Sequence, residues 1–153
     1  MTKIIPIATL SDYEKIKEGF ANNRDLFPHI RTDYIHSMIE KCNCVYDKGI
    51  IIMYNFYKRN NKIGTVLAPQ GSCTIKQILN TDKGNGNAGI ILNNFLQWTE
   101  RDVYLSVRAD NLRAIKFYQK NNFELIGTIN WKNGTIPGHV YQWKYPSQEL
   151  PCT

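Results

Sequence analysis

Two stretches of this chain hold residues whose types and spacing suit chemistry. The first is Thr81-Asp82-Lys83-Gly84-Asn85-Gly86-Asn87-Ala88-Gly89, with glycines at 84, 86 and 89. A glycine-rich turn between a strand and a helix exposes successive backbone amides, and the helix start adds partial positive charge, so such a loop suits a phosphate or pyrophosphate. No Gly-Lys-Ser or Gly-Lys-Thr ends it, which removes the Walker pattern. The spacing Gly84-x-Gly86-x-x-Gly89 does not follow the first strand of a mononucleotide fold, which removes the Rossmann fingerprint. The second stretch runs from Arg108 to Phe123 and carries the pair Phe117-Tyr118. A phenol with an ordinary pKa near 10 can donate a proton or a hydrogen bond, so this stretch points to an enzyme built around a tyrosine at a strand-helix junction.

The elements that must position these residues follow from periodicity. Lys3 to Ala8 is predicted as a short strand, and Ser11, with Glu14 as its reciprocal partner, as the cap of a helix to about Asn22. Ile16, Phe20 and Tyr13 form the apolar stripe of that helix. After a loop from Arg24 to Arg31, Thr32 is expected to cap a second helix through about Lys41, burying Tyr34, Ile35, Met38 and Ile39. Cys44 to Asp47 and Ile50 to Lys58 read as a hairpin turning at Asp47-Lys48-Gly49. Asn60-Asn61-Lys62 reads as a further turn, and Gly64 to Gln70 fits no single pattern. Cys73 to Leu79 is a strand, the glycine loop extends from Thr81 to Gly89, and a helix follows with Ile90, Ile91, Leu92, Phe95, Leu96 and Trp98 on its apolar side. Val103, Leu105 and Val107 mark the next strand. Asp110 or Asn111 caps a helix whose apolar face is Leu112, Ile115 and Phe117, and Asn121-Asn122 ends it, since asparagine tolerates the left-handed conformation. Strand, loop, helix, strand, helix in this order requires a parallel crossover. Leu125 to Trp131 and Val140 to Tyr145 are predicted as a last hairpin.

Taken together, Lys83-x-x-Gly86-x-Ala88 and Asn111-x-x-Ala114-x-x-Phe117-Tyr118-x-Lys120-x-x-Phe123 resemble the GCN5-related N-acetyltransferase (GNAT) superfamily, over a region from about Cys73 to Tyr145. The resemblance implies an α/β (α+β) fold in a single domain over 1–145, with a tail from 146 to 153 loosely held. Its mixed sheet would have about six to seven strands flanked by about four helices, in the order β-α-α-β-β-β-α-β-α-β-β. It implies acetyl-coenzyme A as cofactor and direct transfer of the acetyl group to an amine. On this reading the backbone from Gly84 through Asn85, Gly86, Asn87 and Ala88 to Gly89 holds the pyrophosphate, with Lys83 near the phosphates. The main chain at Gln77, Ile78 and Leu79 pairs with the pantetheine arm, in a gap where the family's strand before the loop splays from the strand starting near Val103. Asn111 would meet the pantetheine, Lys120 the nucleotide phosphates, and Tyr118 the departing thiolate as acid; a main-chain amide near Ile78 or Leu79 would stabilise the oxyanion.

Three positions depart from the family pattern. Lys83 stands in place of Arg or Gln, Asn122 in place of Gly, and the strand from Cys73 to Leu79 has no Asp or Glu where many members keep a general base. The base is then His29, Asp33, Asp110 or His139, or the amine arrives neutral. The acceptor region implied by the resemblance is the first two helices, their loop and the last hairpin, with His29, Arg31, Tyr54 and His139 as candidate residues. Aromatic and basic residues there suit an acidic or planar acceptor, a nucleobase included.

The chain of 153 residues carries a formal charge of +6 and has 42% hydrophobic residues, enough for one compact domain. With no apolar run of membrane-spanning length and no signal-peptide pattern at Met1-Thr2-Lys3-Ile4, the expectation is a cytoplasmic protein without a membrane partner. Cys42, Cys44, Cys73 and Cys152 have no secretory context that supports bridges, and Cys42-Asn43-Cys44 is too tight for a zinc pair, so no metal is expected. The positive charge is spread along the chain, which leaves nucleic acid as an unfavoured partner. Two other readings stay open: a GNAT-fold enzyme that modifies nucleic acid or nucleotides, of the phage DNA-modification type, and a coenzyme- or nucleic-acid-binding module without catalysis. A homodimer is an alternative to the monomer.

Overall fold

The computed structural model describes residues 4–84 and 86–146. A 3₁₀ turn at Leu10–Asp12 is followed by helices α1 (Tyr13–Ala21) and α2 (Thr32–Glu40). Strands β1 (Cys44–Asp47), β2 (Ile50–Phe56), β3 (Asn61–Ile63), β4 (Val66–Ala68) and β5 (Cys73–Asn80) come next. Helix α3 (Asn87–Thr99), β6 (Val103–Arg108), α4 (Leu112–Lys120), β7 (Glu124–Trp131) and β8 (Ile136–Trp143) complete the order. The chain divides into two compact units, Met1–Phe56 with Thr74–Trp98, and Tyr57–Cys73 with Thr99–Thr153. No helix among the described residues is long and apolar enough to cross a membrane.

In the first unit the strands lie in the order β1-β2-β5. β1 and β2 are antiparallel, with Asp47 opposite Ile50, so the hairpin loop has two residues. Lys48 (φ 48°) and Gly49 (φ 81°) both take positive φ, as the turn that matches strand twist requires. Residues 50–54 of β2 are all buried. The apolar spacing of the helices works as expected: Ile16 and Phe20 of α1 pack with Ile35, Met38 and Ile39 of α2 against Ile51, Met53 and Leu79. Burying each such side chain contributes about 1.5–3 kcal/mol.

Several boundaries differ from expectation. Ile7 makes one isolated bridge to Val45 in place of a first strand among the described residues. The first helix is not capped by Ser11 and Glu14; the Asp12 carboxylate accepts the Thr9 N–H at 3.0 Å, and Glu14 pairs with Lys17 instead. Thr32 is the first residue of α2, not its cap, which is Arg31. The expected loop ends before Gly89: Asn87, Ala88 and Gly89 already form the first turn of α3, and Ile90 is 59% exposed.

In the second unit the order is β6-β8-β7, with β3-β4 as a separate two-stranded ribbon. Asn61 and Lys62 are strand residues paired with Ala68 and Leu67, where the sequence suggested a turn. The ribbon's turn meets the outer side of β7: the Thr65 N–H donates to the Thr128 carbonyl at 2.9 Å, and the Thr128 N–H donates to the Thr65 hydroxyl at 3.0 Å. Gly64 (φ 59°) lies so close to Thr128 and Ile129 that a Cβ there would overlap the Thr128 carbonyl oxygen. Ile63 and Ala68 bury against Tyr104 and Val140. β8 begins at Ile136, earlier than its sequence suggests, and pairs with β6 and β7. Leu112 of α4 is 65% exposed rather than packed. Residue 85 and, of the tail expected over 146–153, residues 147–153 with Cys152 lie outside the described residues.

Candidate active site

The glycine loop is rooted in the first unit. The Thr81 N–H and hydroxyl both donate to the Gly49 carbonyl, at 2.8 and 2.7 Å, so the end of β5 is tied to the β1-β2 turn. The Asn80 side chain then accepts the Asp82 N–H at 3.0 Å, turning the chain away from the strand. Lys83 is exposed. Gly84 and Gly86 take φ of 94° and 76°, and a Cβ on either would meet nothing within 4 Å. Here the backbone course demands glycine while the space around it stays open. Ala88 and Gly89 sit in the first turn of α3, where N–H groups have no acceptor within the helix and the helix dipole is positive. An open backbone cradle leading into a helix N-terminus fits a pyrophosphate. Asn85 is outside the described residues. Gln77 and Ile78 are half-buried on β5, and Leu79 is in the core.

The second unit holds the tyrosine. Asn111 is the N-cap of α4, its side-chain oxygen accepting the Ala114 N–H at 3.2 Å; that oxygen holds the helix start. Asn122, at φ 69°, supplies the left-handed residue after the helix. Tyr118 is the buried residue of α4, flanked by the rings of Phe117 and Phe123 at 5.8 and 5.6 Å. Burial pushes its pKa above the ordinary phenol value, so the hydroxyl stays protonated. Among the described residues no hydrogen bond engages that hydroxyl. Lys120 is exposed in the last turn of α4.

The candidate bases separate. Arg108 donates to both carboxylate oxygens of Asp110, at 3.1 and 3.0 Å. This hydrogen bonding holds the Asp110 carboxyl below its usual range, which makes it a poor base. Arg31 grips Asp33 in the same way, at 3.1 and 3.0 Å, so Arg31 and Asp33 are partners of each other. His29 is exposed in the turn before α2. His139 lies on β8 opposite Val107 and Thr128, its ring 6.4 Å from Tyr141 and perpendicular to it. Its Nδ1 is buried without a hydrogen-bond partner among the described residues. Tyr54 does not line an acceptor surface: it is 1% exposed, its hydroxyl donates to the Cys42 carbonyl at 2.9 Å, and its ring packs on Phe56, Phe95 and Trp98.

A cleft of about 410 Å³ is lined by Arg108, Ala109, Asp110, Thr135, Ile136 and Pro137; the last hairpin and Asp110 are expected near an acceptor, while Arg108 and Ala109 are additions from the structure. Its wall depends on Pro137 and Gly138 belonging to β8, although proline and glycine read locally as loop. Pro137 stands at the strand start, where a missing N–H is tolerated, and its carbonyl accepts the Ala109 N–H at 3.0 Å. Gly138 is required because the Trp131 ring lies over it. Among the described residues no three His, Cys, Asp or Glu side chains group as metal ligands.

No protein-family model matches the chain, and no curated protein matches it by sequence. Solved structures do match by shape. A GNAT-family acetyltransferase from Streptococcus agalactiae 2603 superposes with a TM-score of 0.74 at 13% identity, covering 95% of this chain and 96% of its own. Arabidopsis thaliana NAA60 in complex with acetyl-CoA gives 0.66 at 16% identity, over 91% of this chain and 96% of its own. An N-acetyltransferase from Staphylococcus aureus Mu50 gives 0.64 at 18% identity, over 92% and 100%. Likeness of that extent at such low identity establishes architecture, and the architecture of this chain is the mixed α+β fold of the GNAT acetyltransferases.

Proposed function

We propose that the protein is an acetyl-coenzyme A-dependent N-acetyltransferase that moves the acetyl group directly to an amine. The observation that carries this reading is the open backbone cradle at Gly84 and Gly86 leading into the first turn of α3, in a chain with the GNAT fold. The bound cofactor supplies the acetyl group as an activated thioester. The chain's part is to hold and to manage protons. Lys83 and the amides around Gly84, Gly86 and Gly89 would hold the pyrophosphate, and the β5 backbone at Gln77 to Leu79 would hold the extended arm. Tyr118, kept protonated by burial, would be the chain's proton donor for the departing thiolate.

The amine must lose its proton elsewhere. Gln77 cannot accept one, and the carboxylates of Asp33 and Asp110 are each held by an arginine. His139 and His29 remain as acceptors, His139 favoured by its unpartnered nitrogen. Acetyl-coenzyme A should raise the melting temperature, since a ligand at a hundredfold excess over its dissociation constant stabilises the native state by about 2.7 kcal/mol. No shift at saturating cofactor overturns the proposal.

A further inference from the structure

The positive charge is not shared evenly between the two units. Counted by type, the first unit carries nine Lys and Arg against eight Asp and Glu, the second ten against five. Nearly all of the net +6 therefore belongs to the second unit. Charge asymmetry of this kind points to a polyanionic partner. Within that unit, α4 concentrates the effect. From Asn111 to Phe123 the chain has three cations, Arg113, Lys116 and Lys120, and no Asp or Glu.

At about 100° per residue, positions 113, 116 and 120 fall within an arc of about 60° on one side of the helix, over about 10 Å of its axis. All three are exposed. None is in an ion pair among the described residues, whereas Arg108, just before α4, and Arg31, at the start of α2, are both matched by carboxylates. The opposite side of α4 buries Tyr118. An unmatched row of cations on a rigid helix, with its orientation fixed by a buried aromatic, presents charge at the spacing of a polymer and not of a single ion.

We propose that this outer face of α4 is a docking track for the phosphodiester backbone of a nucleic acid, meeting two or three phosphates. Binding of this kind is independent of sequence and releases condensed counterions, so it is read from its salt dependence. The test is fluorescence anisotropy of a labelled DNA duplex across a salt series, with acetyl-coenzyme A saturating throughout. Wild-type affinity should fall linearly on a log-log plot. The variant Arg113→Gln, Lys116→Gln, Lys120→Gln keeps good helix formers in α4 and should have a slope shallower by about 2 to 3. A variant with the same charge change in the first unit, Lys15→Gln, Arg24→Gln, Lys41→Gln, should keep the wild-type slope.

An α4 variant with the wild-type slope overturns the proposal. Equal losses in both variants also overturn it, because the effect would then be bulk charge. Absence of duplex binding with cofactor bound, but binding without it, assigns the cations to cofactor phosphates and overturns it as well.

Discussion

Enclosure of Tyr118 by Phe117 and Phe123 does more than fill space, because it fixes the protonation state of the hydroxyl. With its pKa raised by burial, the phenol keeps its proton to higher pH than an ordinary tyrosine does. The alkaline limb of kcat should therefore lie above the ordinary tyrosine value, and a limb from this group below pH 9 would contradict its role. Tyr118→Phe should lower kcat by about a hundredfold, within the usual range for a lost general acid, while the acetyl-coenzyme A melting shift survives. Unchanged turnover would place the acid elsewhere. Asn111 has a different job: its oxygen caps α4, so Asn111→Ala should cost about 1 kcal/mol in chemical denaturation. The tyrosine and its cap were readable from sequence because both depend on residues within one turn. The pairing of Asp110 with Arg108 was not read, although only one residue separates them, since a carboxylate before a helix looks equally like a cap.

Elements were legible where their own periodicity specified them. α1, α2, β2 and β6 bury the residues their spacing predicts. Elsewhere a partner distant in sequence decides. Asn61 and Lys62 have turn-like side chains, yet they pair across to Leu67 and Ala68, and the ribbon they form is held by Thr128, more than sixty residues on. Asn87 to Gly89 look like loop by composition, yet helical bonding begins there; this start sets the amides that the proposed pyrophosphate needs. The ribbon offers a direct test. Gly64→Ala would place a methyl group against the Thr128 carbonyl in a left-handed backbone conformation, and should destabilise the protein by about 2–4 kcal/mol, from strain plus overpacking. A loss under 0.5 kcal/mol in urea unfolding would show that the ribbon yields.

At the scale of the whole molecule, buried thiols set the alkaline limit. Cys44 and Cys73 are fully buried, and burial pushes each thiol up to about 12 from an ordinary value of 9.0. Their folded pKa values exceed the unfolded ones, so the stability linked to the neutral thiols is complete below pH 9 and is lost as pH rises toward 12. The melting temperature should fall across that window, less steeply in a Cys73→Ala variant. A thiol reagent at neutral pH should leave both unmodified while reacting with exposed Cys42; rapid native labelling of Cys44 would contradict the packing.

The bonds between Thr65 and Thr128 also have a consequence for solubility. β7 borders β8 on one side only within its unit, and it carries exposed Leu125 and Ile126, the makings of a sticky edge on which a neighbouring chain could add a strand. By taking up both backbone groups of Thr128, the turn of the ribbon interrupts that edge in its middle, so a short protrusion with no assigned role in the chemistry acts as a guard against sheet-to-sheet aggregation.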